Sequence, residues 1–211
     1  MGIFEDFSLS MILHEFGQIM KIPCVVILLA LIIVAVWQIG DLIMELILER
    51  RKREKNIEVL LDSIRNKDRE EIADAISASM IPAVEKKMLK KLVESDEFEE
   101  NDRKIMAVKY LDDEEARFEK KTAVPELLAK LGPMFGLLGT LIPLGPGIVA
   151  LGQGDTATLS NAIGLAFDTT IAGLLTAAVG SIISNIRNRW YDGYMSDFET
   201  LMEVVLEEVN K

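Results

Sequence analysis

"LLAKLGPMFGLLGTLIPLGPGIVALGQGDTATLSNAIGLAFDTTIAGLLTAAVGSIISNI", residues 127 to 186, decides the fold of this chain. It holds two predominantly apolar runs, 127–151 and 162–186, each long enough to cross a hydrocarbon core as a helix, which takes roughly 20 residues. Only the connector at 152–161 lies between them. So short a link forces the two helices into an antiparallel hairpin. Pro133, Pro143, Pro146 and several glycines interrupt the first run. Membrane helices tolerate such breakers because neighbouring helices satisfy the freed backbone groups, so this helix is expected to be kinked.

Towards the amino end a third apolar run, "IPCVVILLALIIVAVWQIG" at 22–40, carries no charge and makes the first spanning helix, placed at 22–48. A cleaved signal peptide fits poorly, since the run begins late, lacks a basic leader and is followed by no small-residue cleavage pattern. "MGIFED" also fails the myristoylation pattern, with Asp6 where Ser or Thr is needed. Composition agrees with a membrane protein: 50% of the 211 residues are hydrophobic while 27% are charged, and mean hydropathy is +0.25. The two classes must therefore be segregated into blocks.

Charge orients the chain. Of the 23 Lys and Arg, 18 fall between Arg50 and Lys121, and the 152–161 connector has none. The positive-inside bias places residues 49–126 in the cytoplasm, residues 1–21 and 152–161 outside, and the tail from 187 to 211 inside. The protein is thus expected in the cell (inner, cytoplasmic) membrane, amino end out and carboxyl end in. Phe4, Phe7 and Phe16 would face the outer interface; Trp37, Trp190 and Tyr191 would anchor the inner one. Residues 49–126 read as helical, with Ile57, Leu60, Leu61 and Ile64 at helix spacing. No Pro or Gly separates Asp41 from Met80, so the first helix is expected to continue several turns beyond the membrane. Pro82 suits the first turn of a new helix, "SDEFEEND" marks a further break, and "FETLMEVVLEEV" continues as an amphipathic tail. The fold class is all-α: three transmembrane helices with long cytoplasmic helical extensions.

Several chemistries are excluded. A net charge of −11 argues against a nucleic-acid partner. His14, the only histidine, lies in the external amino-terminal segment, so neither a Ser-His-Asp arrangement nor a His-rich metal site is expected, and the single cysteine, Cys24, allows no disulfide framework or thiolate metal site. Cys24 reads as a small packing residue, and no GxxxxGK phosphate loop occurs. Neither an enzyme nor a cofactor is expected.

Polar residues inside the apolar runs are the candidates for function. A carboxyl in a bilayer costs at least a few kcal/mol, so Asp168 either faces a bundle interior, a watery path or a partner, or sits hydrated near the outer surface. Threonine alone is weaker evidence, because its hydroxyl commonly bonds back one turn. The pattern says more. Thr169, Ala172 and Thr176 share one helix face and Thr170, Gly173 and Ala177 the adjacent one, a stripe that admits another helix. Gly132 and Gly136 form a GxxxG that Gly139 and Thr140 extend towards mid-membrane, so both hairpin helices could present a polar ring.

These segments resemble the MotA/TolQ/ExbB family of ion-channel subunits. "LGPMFGLLGTLIPL" is similar to that family's Pro-x-x-Gly-Leu-x-Gly-Thr segment, and "LAFDTTIAGLLTAAVGSIISN" to its Ala-rich last helix. The likeness covers about Pro125 to Asn185, and the three-span topology looks like the TolQ and ExbB branch. It implies a homo-pentamer around a central pore, with a dimeric single-span partner of the ExbD, TolR or MotB type inside. The transported species would be a proton or sodium ion, and the work mechanical. By position it makes Thr140 and Thr170 the pore threonines, with Asp168, Thr169 and Thr176 beside them, and Gly132, Gly136, Gly139, Gly173 and Ala177 as packing or partner-facing positions. A Glu usual in that branch is Leu165 here. The competing reading is a membrane scaffold that recruits soluble partners through its cytoplasmic helices; a secondary transporter is disfavoured by the lack of paired repeat halves.

Overall fold

Nineteen uncharged residues leave the backbone of 22–40 no better way to pair its amides than an α-helix, whether in lipid or in a packed bundle. The computed structural model describes residues 12, 15–47, 51–94 and 99–209, with the backbone alone at 51–56. Among these residues the chain is all-helical: α1 Lys21–Glu45, α2 Arg51–Ile64, α3 Arg69–Ala78, α4 Ala83–Glu94, α5 Glu100–Gly152 and α6 Thr156–Val209. Three helices are long and apolar enough to cross a membrane: the one ending at Glu45, α5 and α6. Phe16 is exposed, whereas Phe4, Phe7 and His14 lie outside the described residues.

Two compact units divide the chain: residues 1–39 with 123–184, and residues 40–122 with 185–211. In the first unit, most large apolar side chains of α1, α5 and α6 point outward, including Ile33, Val36, Leu137, Leu141, Ile171 and Leu174. Such wide apolar exposure on a single chain marks surface meant for lipid or for other protein. α5 runs unbroken through Pro125, Pro133, Pro143 and Pro146, although each proline lacks the amide hydrogen that would close its own helical bond.

The second unit has a conventional core. Ile57, Leu60 and Ile64 of α2, Ile72 and Ile76 of α3, and Leu89, Leu92 and Val93 of α4 close on Ala107 of α5 and on Phe198, Leu201, Met202, Val205 and Val209 of α6. The repeating three- and four-residue steps put each set on one helix face. Arg69 Nη2 donates to the Val209 carbonyl at 3.0 Å, supplying a cation and a donor where α6 ends.

Three local features differ from the sequence expectations. The stretch without Pro or Gly from Asp41 to Met80, along which the first helix is expected to run on for several turns, is divided between α2 and α3, where Asn66 adopts φ 56°, the left-handed conformation that asparagine tolerates as a helix stop. Pro82 directly precedes α4, its carbonyl accepting from Lys86 N at 3.0 Å. The hairpin connector shrinks to Gln153, Gly154 and Asp155, because Gly154 takes φ 82° and Asp155 caps α6. Asp155 Oδ1 accepts from Thr158 N at 3.0 Å and Oδ2 from the Thr158 hydroxyl.

Those two Thr158 bonds hold the Asp155 carboxyl below the ordinary aspartate range, the side-chain bond contributing most. A depressed carboxyl stabilises the fold above its unfolded pKa, and this support is lost as pH falls through the lower folded value. Protection of the Thr158 amide, its exchange slowed relative to an unstructured chain at the same pH, is therefore expected to stay constant from neutral pH into the mild-acid range and to fall only below it. In Asp155→Ala the protection should be low at every pH; full protection in that variant would exclude the cap.

Candidate functional site

The hairpin is held together by backbone contact. A methyl group added at Gly173 would lie 2.5 Å from the Gly132 carbonyl oxygen and 2.7 Å from Gly136 Cα. At Gly132 it would meet the Gly173 carbonyl oxygen at 2.6 Å and Ala177 N at 2.9 Å. At Gly139 it would strike the Thr169 side chain at 2.7 Å, and at Gly180 the Pro125 carbonyl oxygen at 2.6 Å. Gly147 carries the seam on to Ala162. Small residues at these positions let α5 and α6 approach more closely than any side chain would allow, which compensates for the weak attraction between apolar helices in lipid. The stripe of Gly132, Gly136, Gly139, Gly173 and Ala177 thus serves this chain's own hairpin.

The seam places the threonines. Thr169 is 6% exposed and packs on Gly139, with its hydroxyl donating to the carbonyls of Leu165 and Ala166, both at 3.0 Å. Thr176 is also buried and donates to Ala172 at 2.8 Å. Thr140 and Thr170, each next in sequence to a member of the Gly139–Thr169 contact, stay half-buried. Thr140 donates to Leu137 at 2.7 Å and Thr170 to Ala166 at 3.0 Å. Every one of these hydroxyls directs its proton back along its own helix. What the half-buried Thr140 and Thr170 can still offer outward is an oxygen lone pair, the group that a proton-carrying water or a partly dehydrated cation requires.

Asp168 goes elsewhere. At about 100° per residue, Asp168 and Thr170 point about 200° apart around α6, on either side of Thr169. Asp168 is exposed and lines a groove of about 380 Å³ between α6 and α1, walled by Ile32, Ala35, Val36 and Ile39 from α1 and by Ile171 and Leu175 from α6. Thr176 lines the same groove. The structure therefore joins Thr169 to Gly139 on one side of α6 and groups Asp168 with Thr176 on another. Leu165 stands one helical turn before Asp168 and is half-buried. Cys24 is buried against α5, its thiol 3.6 Å from the Phe135 carbonyl oxygen. Among the described residues no group of three His, Cys, Asp or Glu could hold a metal ion.

Sequence reasoning missed a buried polar cluster in the second unit. Arg187 is 1% exposed and sits among Asp41, Glu45, Lys121 and Tyr191. Tyr191, expected as an interfacial anchor, is buried instead, stacked on Phe118 with centroids 4.3 Å apart. The only available signal was two acidic residues one turn apart just past the first apolar run and two arginines, Arg187 and Arg189, just past the last.

No individual curated protein matches the chain. The model of the MotA/TolQ/ExbB proton channel family does match, over residues 76–200, from within α3 to beyond the apolar part of α6. That match spans more than half of the chain and includes the whole glycine seam with its threonines, so this all-helical, multi-pass membrane protein belongs to the MotA/TolQ/ExbB proton channel family.

Proposed function

We propose that the chain is the channel subunit of an ion-driven membrane motor, acting as a homo-pentamer in the cell membrane with its amino end outside and its carboxyl end in the cytoplasm. Five α5–α6 hairpins would enclose the path. A dimeric single-span partner of the ExbD, TolR or MotB kind would occupy it and convert proton or sodium flux into mechanical work. The observation that carries this reading is the glycine seam, which buries Thr169 while leaving Thr140 and Thr170 half-buried with outward lone pairs on adjoining helices. Thr140 and Thr170 would face the ion, Thr169 would hold the hairpin together, and Asp168 with Thr176 would act from the α1 side. The family match supports the channel role.

The test is ion flux through the chain and its partner in proteoliposomes. Thr170→Val removes the oxygen and keeps the shape, so partner-dependent flux should vanish while assembly persists; full flux would remove Thr170 from the path. Mass measurement in a gentle detergent should give five copies, and a monomer would overturn the pentamer. Asp168→Asn separates this reading from a scaffold. A scaffold needs no ionisable group in the membrane and would be indifferent to the change, whereas a channel using Asp168 would alter its flux or its pH dependence.

A further inference from the structure

Apolar contact is non-directional, and lipid is as apolar as leucine, so the outer-facing hydrophobic surface of α1 cannot by itself fix the helix's rotation or depth. Polar groups at its end can. Asp41 and Glu45 lie one turn apart on the same face of α1, Glu45 being its last residue before a wider-wound turn at 46–47. Arg187 of α6 grips both: Nε donates to Glu45 Oε2 at 3.0 Å and Nη2 to Asp41 Oδ2 at 2.5 Å. Its remaining nitrogen, Nη1, donates to the Lys121 carbonyl of α5 at 3.1 Å. That carbonyl is available because Pro125, four residues on, has no hydrogen to give it.

Glu45 is completed from two further sides. The Tyr191 hydroxyl donates to Oε1 at 2.6 Å, and Lys121 Nζ stands 3.6 Å from the same oxygen. Two carboxylates thus meet two cations, and Arg187 ties the three helices together through three hydrogen bonds, two to α1 and one to α5. Its planar fork suits this task, because several hydrogen bonds at fixed angles define an orientation that a single ammonium cannot.

We propose that Arg187 is a positioning residue for ion flux: by holding Asp41, Glu45 and the Lys121 carbonyl together it sets the register and rotation of α1 against α5 and α6, and the channel conducts only in that register. The inference rests on the channel reading but does not place Arg187 in the ion's path. A slip of one residue along α1 would turn Asp41 and Glu45 about 100° away from the guanidinium, so the clamp accepts one alignment.

The test uses the full chain with its partner in proteoliposomes, with Cys24 replaced by Ala and spin labels at Val36→Cys on α1 and Leu175→Cys on α6. Arg187→Met is expected to shift or broaden the label distance and to lower flux per assembled complex by about tenfold or more, since a buried carboxylate loses its main partner. Arg187→Lys, which keeps charge without the fork, should recover part of each. Should Arg187→Met fail to assemble, Asp41→Asn serves instead, since the Asp41 side chain is 59% exposed and its loss leaves the core untouched; a smaller shift of the same kind is expected. A distance and a flux per complex equal to the parent's in either variant overturn the proposal. If the parent itself carries no flux, the channel reading fails, while the distance measurement still decides whether Arg187 fixes the register of α1.

Discussion

Replacing Gly173 with leucine is expected to prevent the hairpin from closing. Even a single methyl there would lie 2.5 Å from the Gly132 carbonyl oxygen, 2.7 Å from Gly136 Cα and 3.0 Å from Gly136 N. All three are backbone atoms, which cannot swing aside as a side chain would. Ordinary overpacking of a core costs about 1–3 kcal/mol because neighbours repack; here the whole of α5 must move, so the effect belongs at or above the top of that range. The pairing between small helix faces would be lost with it. Assembled complex on a gentle-detergent gel should drop to background for Gly173→Leu and fall clearly for Gly173→Ala. Gly164→Ala is the control, because a methyl at Gly164 meets nothing within 4 Å and should be neutral. Normal assembly of Gly173→Leu would mean that the seam is not closed in the working protein.

The second large effect is expected outside the apolar helices. Phe198 is 0% exposed at the centre of the cluster that joins α2, α3 and α4 to α5 and α6. Phe198→Ala removes most of an aromatic ring from a site ringed by Leu201, Met202 and Val205, and truncations of this kind cost about 3–5 kcal/mol. That loss approaches the whole stability of a small unit. Limited proteolysis of the full chain should then cut within residues 57–94 under conditions that leave the parent intact. Thr200→Ala, on the exposed face of the same stretch, should resist as the parent does. Equal resistance of Phe198→Ala would show that the α2–α4 helices are not held by this core.

How much of this was legible in the residues follows from the range of the forces. The three apolar helices could be read because hydrophobic blocks and span length are local properties, and the α5–α6 contact because small residues at four-residue steps leave a visible groove. The separation of Asp168 from Thr170 was also readable, since neighbouring helix positions point about 100° apart; grouping both with Thr169 as one lining overlooked that geometry. Three things lay beyond local pattern. Asn66 in a left-handed turn stops α2 where no Gly or Pro announces it. Gly154 and Asp155 shorten the connector because a cap bond forms with Thr158. Arg187 finds its carboxylates at Asp41 and Glu45 across most of the chain, and no window along the sequence contains both ends of that pairing.

One consequence of the α5 prolines reaches beyond packing. A missing hydrogen at Pro125 and a spare one on Arg187 answer each other through a single carbonyl, so the two positions share one structural constraint although neither needs to touch the other. Restoring an amide at 125 would offer Lys121 a rival donor, and shortening the arginine would strand an acceptor. Substitutions at the two sites should therefore travel together through lineages, leaving a covariation signal whose origin is an atom that is not there.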